Sequence, residues 1–142
     1  MIKFYQKLVA PRVDHKPDTA NATRVRGFVP VTADWINETT SEGTFTVSLS
    51  SVIATNAVAV AVVVRLQDNA ANSFAEVRAK TSVSTNSAAK LRVVCNNTSS
   101  TGPQTLHGVI PVNTTRQVRW QIYDAKSTAV QTASLGLLGY YY

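Results

Sequence analysis

Residues 44–80 limit the fold of this chain more than any other part of the sequence. Phe45, Val47 and Leu49 alternate with threonine and serine, and this period of two is typical of a β-strand with one buried face. The apolar run at residues 57–64 has the length of a strand buried on both faces. Because these patterns follow one another closely, this part of the chain predicts an all-β fold.

Short strand patterns continue along the rest of the chain, separated by residues that favour turns. We predict a single two-sheet antiparallel β-sandwich of about eight strands, jelly-roll-like in form. Val118 and Ile122 are expected to face the core, and Trp35 and Trp120 to anchor it. The predicted strands are residues 27–33, 44–52, 57–66, 73–79, 90–95, 104–112, 116–123 and 128–138.

The composition of the chain favours assembly. Valine, threonine and serine number 20, 17 and 12 residues, whereas charged residues make up only 15% of the chain. The surface of a freely soluble monomer is commonly about a quarter charged or more. Much of the surface must therefore consist of small neutral side chains, which a partner can bury easily. A monomer with a threonine- and serine-rich surface is the alternative.

The first 26 residues differ from the sandwich domain, which we assign to residues 27–142. They contain six of the 14 lysines and arginines against two aspartates, and two prolines interrupt them. This pattern predicts an extended basic arm that becomes ordered by docking on a partner. The arm residues expected to contact a partner are Lys3, Phe4, Tyr5, Lys7, Leu8 and Arg12.

A second basic zone contains Arg78, Lys80, Lys90 and Arg92. Binding to nucleic acid usually needs denser cations or interleaved aromatic residues, which neither zone has, so we predict no nucleic-acid partner. No stretch approaches the ~20 apolar residues of a membrane span, so we expect no membrane association. The N-terminus has no pattern of a signal peptide, and we expect the protein to be made and folded in a cytoplasm.

No set of residues indicates catalysis, and we predict a non-enzymatic protein without catalytic residues, cofactor or metal. The single cysteine, Cys95, shares the parity of apolar neighbours and is interpreted as an inert core residue. Asp14 and His15 lie in the arm, where no rigid scaffold would hold a dyad. His107 lies on a predicted strand, without the spacing of a metal site. The turn at Asp68 is interpreted as a turn and not as a calcium site.

Three tyrosines, Tyr140, Tyr141 and Tyr142, end the sequence. Chain termini are usually polar, whereas tyrosine offers a large rigid contact area and is enriched at interfaces. We predict that the three form an oligomer interface. The alternative is that the last strand completes the core and leaves its tyrosines half-exposed.

Two parts of the chain resemble small β-sandwich modules of tailed-bacteriophage structural proteins. The first contains Val47-Ser-Leu-Ser-Ser-Val52 and the apolar strand that follows it, and the second leads from residues 118–123 to Leu137-Leu-Gly-Tyr140. The resemblance covers residues 44–80 and 109–142, and consists of strand rhythm and a closing glycine-aromatic sequence. It implies a virion component, because such modules occur at the ends of tail fibres and small jelly-roll proteins decorate or cement capsids.

The resemblance by itself does not say which kind of component this is. The arm of mixed basic and apolar residues, which a partner surface would order, favours an oligomeric capsid decoration or cement protein, located in the virion and bound to the major capsid protein or other virion proteins. Cementing adds buried area across capsomer junctions. One alternative is a tail-fibre or tail-tip receptor-binding module, in which the loop at residues 81–89 or the aromatic residues Trp35, Tyr123 and the terminal tyrosines contact sugars. A cellular lectin-like carbohydrate-binding domain is the other, and the missing secretion signal argues against it.

Overall fold

The computed structural model describes residues 26–31, 35–80, 89–96, 102–126 and 129–142. In these ranges the chain forms nine β-strands and no helix. The strands are β1 (Phe28–Pro30), β2 (Trp35–Ser41), β3 (Gly43–Ser48), β4 (Ala59–Gln67), β5 (Phe74–Ala79), β6 (Lys90–Val94), β7 (Gln104–Pro111), β8 (Gln117–Tyr123) and β9 (Ala129–Tyr141).

The strands form two antiparallel sheets. The five-stranded sheet has the order β1-β9-β4-β7, and β2 also pairs with β9, along the same edge as β1. The four-stranded sheet has the order β3-β8-β5-β6. Except at the β1–β2 and β5–β6 connections, consecutive strands lie in opposite sheets, which gives the order of a jelly roll. The predicted all-β, jelly-roll-like sandwich is therefore confirmed.

The N-terminal part of the sandwich differs from the prediction. No strand is predicted between residues 33 and 44, whereas β2 runs from Trp35 to Ser41 and β3 begins at Gly43. The sequence of β2 is polar except at Trp35 and Ile36, so it lacks the alternation that marks a half-buried strand. The last strand is longer than predicted and ends at Tyr141, because it pairs with β4 and β1 to that point.

The core lies between the inner faces of the two sheets. Val60, Val62 and Val64 of β4 belong to one core cluster with Trp120 and its neighbours on β8, and all of these side chains are fully buried. The predicted burial of Val118, Trp120 and Ile122 is confirmed, as is that of Cys95. Strand parity therefore places every second residue of β4 and β8 in one continuous core.

The outer face of β4 is apolar as well, which explains the unbroken apolar run in its sequence. Ala59, Ala61 and Val63 alternate with the core valines and point away from them. The prediction of a strand buried on both faces is correct for Val63, whereas Ala59 and Ala61 are only half-buried. No described strand forms a further layer over this side of the sheet.

Candidate functional site

The outer face of the five-stranded sheet carries a continuous apolar surface near the C-terminal end of β9. Residues paired across neighbouring strands form rows on this surface. One row contains Phe28, Tyr141 and Ala59, and the next row contains Ala61 and Val109. Paired residues point to the same side of a sheet, so these side chains share one surface. We call this surface the apolar face; its main members are Phe28, Trp35, Ala59, Ala61, Val109 and Tyr141.

Large side chains of the apolar face are exposed to an unusual degree for their type. Phe28, Trp35 and Val109 are 45%, 40% and 52% exposed, and Leu138 lies exposed at the β-bulge of the neighbouring strand β9. Single exposed apolar residues are normal on a protein surface, whereas contiguous patches mark interaction sites. The alignment of these residues on adjacent strands indicates such a site.

Two glycines of β9 allow aromatic rings of the apolar face to pack closely against the backbone of the sheet. A Cβ atom at Gly136 would lie 3.1 Å from Cε3 of Trp35. A Cβ atom at Gly139 would overlap the ring of Phe28 and lie 2.6 Å from the carbonyl oxygen of Val29. Phe28 and Tyr141 then meet with ring centroids 4.9 Å apart. The rings are thus fixed by packing before any partner binds.

We expect Gly139→Ala to displace Phe28 and to loosen β1. The new methyl group would contact a backbone oxygen that cannot move without breaking the β1–β9 pairing, so about 1–3 kcal/mol of stability should be lost. Gly108→Ala is the control, because its Cβ meets only the flexible end of Leu91, at 3.0 Å. Thermal unfolding measures the difference, and equal effects of the two variants would contradict this role of Gly139.

The three terminal tyrosines have different environments. Tyr140 packs against the core, whereas Tyr141 lies on the apolar face beside Phe28. Tyr142 extends the β1–β9 ladder, since its backbone N–H donates to the carbonyl of Gly27 at 3.2 Å. The predicted oligomer interface of all three stays a prediction, and the structure brings only Tyr141 onto the apolar face.

Trp35 does not anchor the core, so that prediction is wrong. It lies at the start of β2 opposite Gly136 and packs on the outer side of the sheet, where the guanidinium of Arg65 lies 5.8 Å from its ring centroid. The segment that forms β2 has no alternation of polar and apolar residues. The side of the sheet on which Trp35 lies could therefore not be assigned from the sequence.

The outer face of the four-stranded sheet is cationic. Arg78 of β5 lies directly opposite Lys90 of β6 on one side and Arg119 of β8 on the other. The side chain of Lys80 extends from the end of β5 and donates to Gln117 at 3.0 Å. We call this surface the cationic face; its charged members are Arg78, Lys80, Lys90, Arg92 and Arg119, together with Glu76.

Glu76 supplies the carboxylate on this face, and it is nearly inaccessible, with 1% of its side chain exposed. Nε of Arg92 donates to one carboxylate oxygen at 2.6 Å. Nε of Arg78 lies 3.3 Å from the other oxygen, close enough for an ion pair but not aligned for a hydrogen bond. Lys90 and Arg119 have no ion-pair partner among the residues that the structure describes.

An aromatic pair lies at one end of the cationic face. The rings of Phe74 and Tyr123 stack with centroids 5.3 Å apart and an interplanar angle of 28°. The guanidinium of Arg92 lies 4.0 Å from the centroid of the Phe74 ring. Tyr123 is the more exposed of the two rings. Phe74, Arg92 and Tyr123 are far apart in the sequence, and the pairing of β5 with β6 and β8 brings them together.

An open groove of about 650 Å³ lies at the end of the sandwich where β4 begins and β7 ends. Threonine and asparagine side chains and apolar groups line it, among them Thr55, Asn56, Val58 and Asn113. None of its lining residues carries a titratable side chain, so the groove offers no group for proton transfer.

The remaining sequence candidates give no further site in the described part of the chain. Cys95 is buried, and its thiol donates to the carbonyl oxygen of Asp68 at 3.3 Å. The described ranges contain no cluster of three histidine, cysteine or acidic residues able to hold a metal ion, and no helix long and apolar enough to cross a membrane. The predicted arm contacts Lys3, Phe4, Tyr5, Lys7, Leu8 and Arg12, and residues 81–88 of the predicted loop, lie outside the described residues.

No protein-family model and no curated protein sequence matches this chain.

Proposed function

We propose that this chain is a non-enzymatic structural protein of a tailed-bacteriophage particle, which acts as an oligomer that decorates and cements the capsid. The apolar face carries the oligomeric part of this proposal, because its aromatic rings are exposed on the outer side of the sheet and packed closely against glycines of β9. The viral part is supported by the resemblance of residues 44–80 and 109–142 to phage structural modules.

A second copy of the chain is the occupant that suits the apolar face. Each chain carries a net charge of +6, so copies repel one another unless the surfaces in contact are nearly uncharged. The rows that contain Phe28 and Val109 hold no charged residue, and Arg65 lies in a row further along the sheet. Burial of these side chains in an oligomer contributes roughly 25 cal/mol per Å² of apolar area.

We expect Val109→Asp to convert the oligomer into monomers. The aspartate would place a charge within the contact, and burying a charge without a partner is strongly unfavourable. Thr105→Asp is the matched control, because it makes the same new side chain on the same face of β7, in the polar row of Arg65. Light scattering coupled to size-exclusion chromatography measures the mass of each variant.

The result that contradicts this use of the face is a wild-type protein that is monomeric at all accessible concentrations. An oligomer that Val109→Asp leaves intact would contradict it equally. Circular dichroism of the variant shows whether the fold is retained, since a substitution at an exposed position should leave it unchanged.

Immunogold electron microscopy on particles from the source tests the location. Label spread over the heads is the expected result for a decoration protein. Label restricted to the tails would replace it with the tail-fibre or tail-tip receptor-binding module. Particles without label would overturn the virion proposal and favour the cellular lectin-like domain.

A further inference from the structure

We propose that the cationic face is a second docking surface, and that its partner is an acidic protein segment rich in aspartate or glutamate. This surface lies on the opposite side of the sandwich from the apolar face. One protomer can therefore contact a second copy and an acidic partner at the same time. The inference does not depend on whether the chain is a virion protein.

The charges of the cationic face are poorly compensated by the residues that the structure describes. Lys90, Arg78 and Arg119 occupy one row across three adjacent strands, so like charges lie directly opposite one another. Such pairs destabilise a sheet, because their Cβ atoms are only about 4.5–5.5 Å apart. Within the described residues, Glu76 is the carboxylate that pairs with cations here, and it contacts Arg78 and Arg92. A partner that brings carboxylates to Lys90 and Arg119 would remove this repulsion.

The neighbours of these cations are neutral and can form hydrogen bonds. Gln117 and Gln121 lie on β8, and Thr44, Thr46 and Ser48 lie beside them on β3. The amide oxygen of Gln121 accepts a hydrogen bond from Arg78 at 2.5 Å, which orients that guanidinium without neutralising it. The face therefore keeps its positive charge up to the edge formed by β3.

A second copy of this chain does not suit the cationic face, because both copies would present the same positive charge. Carboxylates suit it well, since arginine and lysine form short charge-assisted hydrogen bonds with them. Arg119 and Lys90 are free to do so because neither has another ion-pair partner among the described residues.

Single-stranded nucleic acid fits the face less well than an acidic protein segment. Binding of bases needs an aromatic ring with an open face for stacking. The Phe74 ring has Tyr123 stacked against it and the guanidinium of Arg92 over it, which leaves Tyr123, 40% exposed at one end of the face, as the ring that a base could reach. A groove of about 490 Å³ at residues 79–80 and 111–115 reaches the cationic face at Lys80, and its other lining residues are not members of this face. Nucleic acid is therefore the competing outcome that the experiment must separate.

The test uses two fluorescent probes of similar charge, a peptide of ten glutamates and a single-stranded DNA of ten thymidines. Fluorescence anisotropy with the full chain should show tighter binding of the peptide, and the affinity should fall as salt is raised because screening shortens the range of the charges. The double variant Lys90→Gln, Arg119→Gln should bind the peptide at least about tenfold more weakly, because two ion pairs with desolvated partners are lost.

Arg26→Gln is the matched control, because it removes an exposed cation beside the five-stranded sheet, away from the cationic face. We expect it to change the affinity less than about twofold. If it weakens binding as much per charge as the double variant does, general attraction to a basic protein explains the binding and the proposal fails. Tighter binding of the DNA, lost in the double variant, would also overturn the proposal and assign the face to nucleic acid. The mass of the double variant should stay that of the wild type, which separates this surface from the apolar face.

Discussion

Trp120→Ala is expected to lower the free energy of unfolding by about 3–5 kcal/mol. The indole is fully buried between the two sheets, and its neighbours in the core come from strands of both. Removing it leaves a cavity that the backbone of β8 cannot close, because β8 is paired on one side with β3 and on the other with β5. Chemical denaturation followed by circular dichroism measures the loss.

Trp35→Ala is the matched control for that experiment. The same side chain is removed, but Trp35 is 40% exposed on the outer face, where it covers Gly136 and lies near Arg65. We expect a loss of about 1 kcal/mol, from lost packing and a partly exposed cation–π contact. A loss below about 1 kcal/mol in Trp120→Ala would contradict the position of that side chain in the core.

The two tryptophans show how far the sequence predicts this fold. Trp120 lies between Val118 and Ile122 in a strand of clear alternation, so its inward direction follows from parity alone. Trp35 begins a strand of polar residues that pairs with the edge of β9, and tertiary pairing, not periodicity, makes that segment a strand. Alternation thus predicts strands that build the core, whereas edge strands with little burial leave a weak pattern.

Each of the two candidate surfaces could be predicted from the sequence only in part. Arg78, Lys80, Lys90 and Arg92 were identified as a basic zone from the sequence. Arg119 could not be added to them, because its place beside Arg78 depends on the register of β5 with β8. The apolar face is similar: the outward residues of β4 were visible as an apolar run, but their alignment with Phe28 and Val109 requires three strand registers.

Glu76→Ala is expected to destabilise the protein by about 2–3 kcal/mol. Removing one member of a buried ion pair leaves the remaining charges without compensation, which typically costs about 3–5 kcal/mol. The cost should be smaller here because the side chain of Arg92 is 40% exposed and can regain water. The variant would also leave Arg78 between Lys90 and Arg119 with no carboxylate nearby among the described residues. Thermal and chemical unfolding at low salt measure the effect.

The dependence of this loss on salt separates charge from packing. If Glu76 acts by compensating the cations, raising the salt from about 0.05 M to 0.5 M should restore part of the stability of Glu76→Ala, because screening weakens the repulsion among them. Glu76→Gln keeps the volume of the side chain and an acceptor for Arg92, and should lose less stability while showing the same salt response. A loss that salt does not reduce would indicate that Glu76 fills space and does not balance charge. The row of cations on β5, β6 and β8 would then be tolerated without it, and the electrostatic reason for an acidic partner would be weakened.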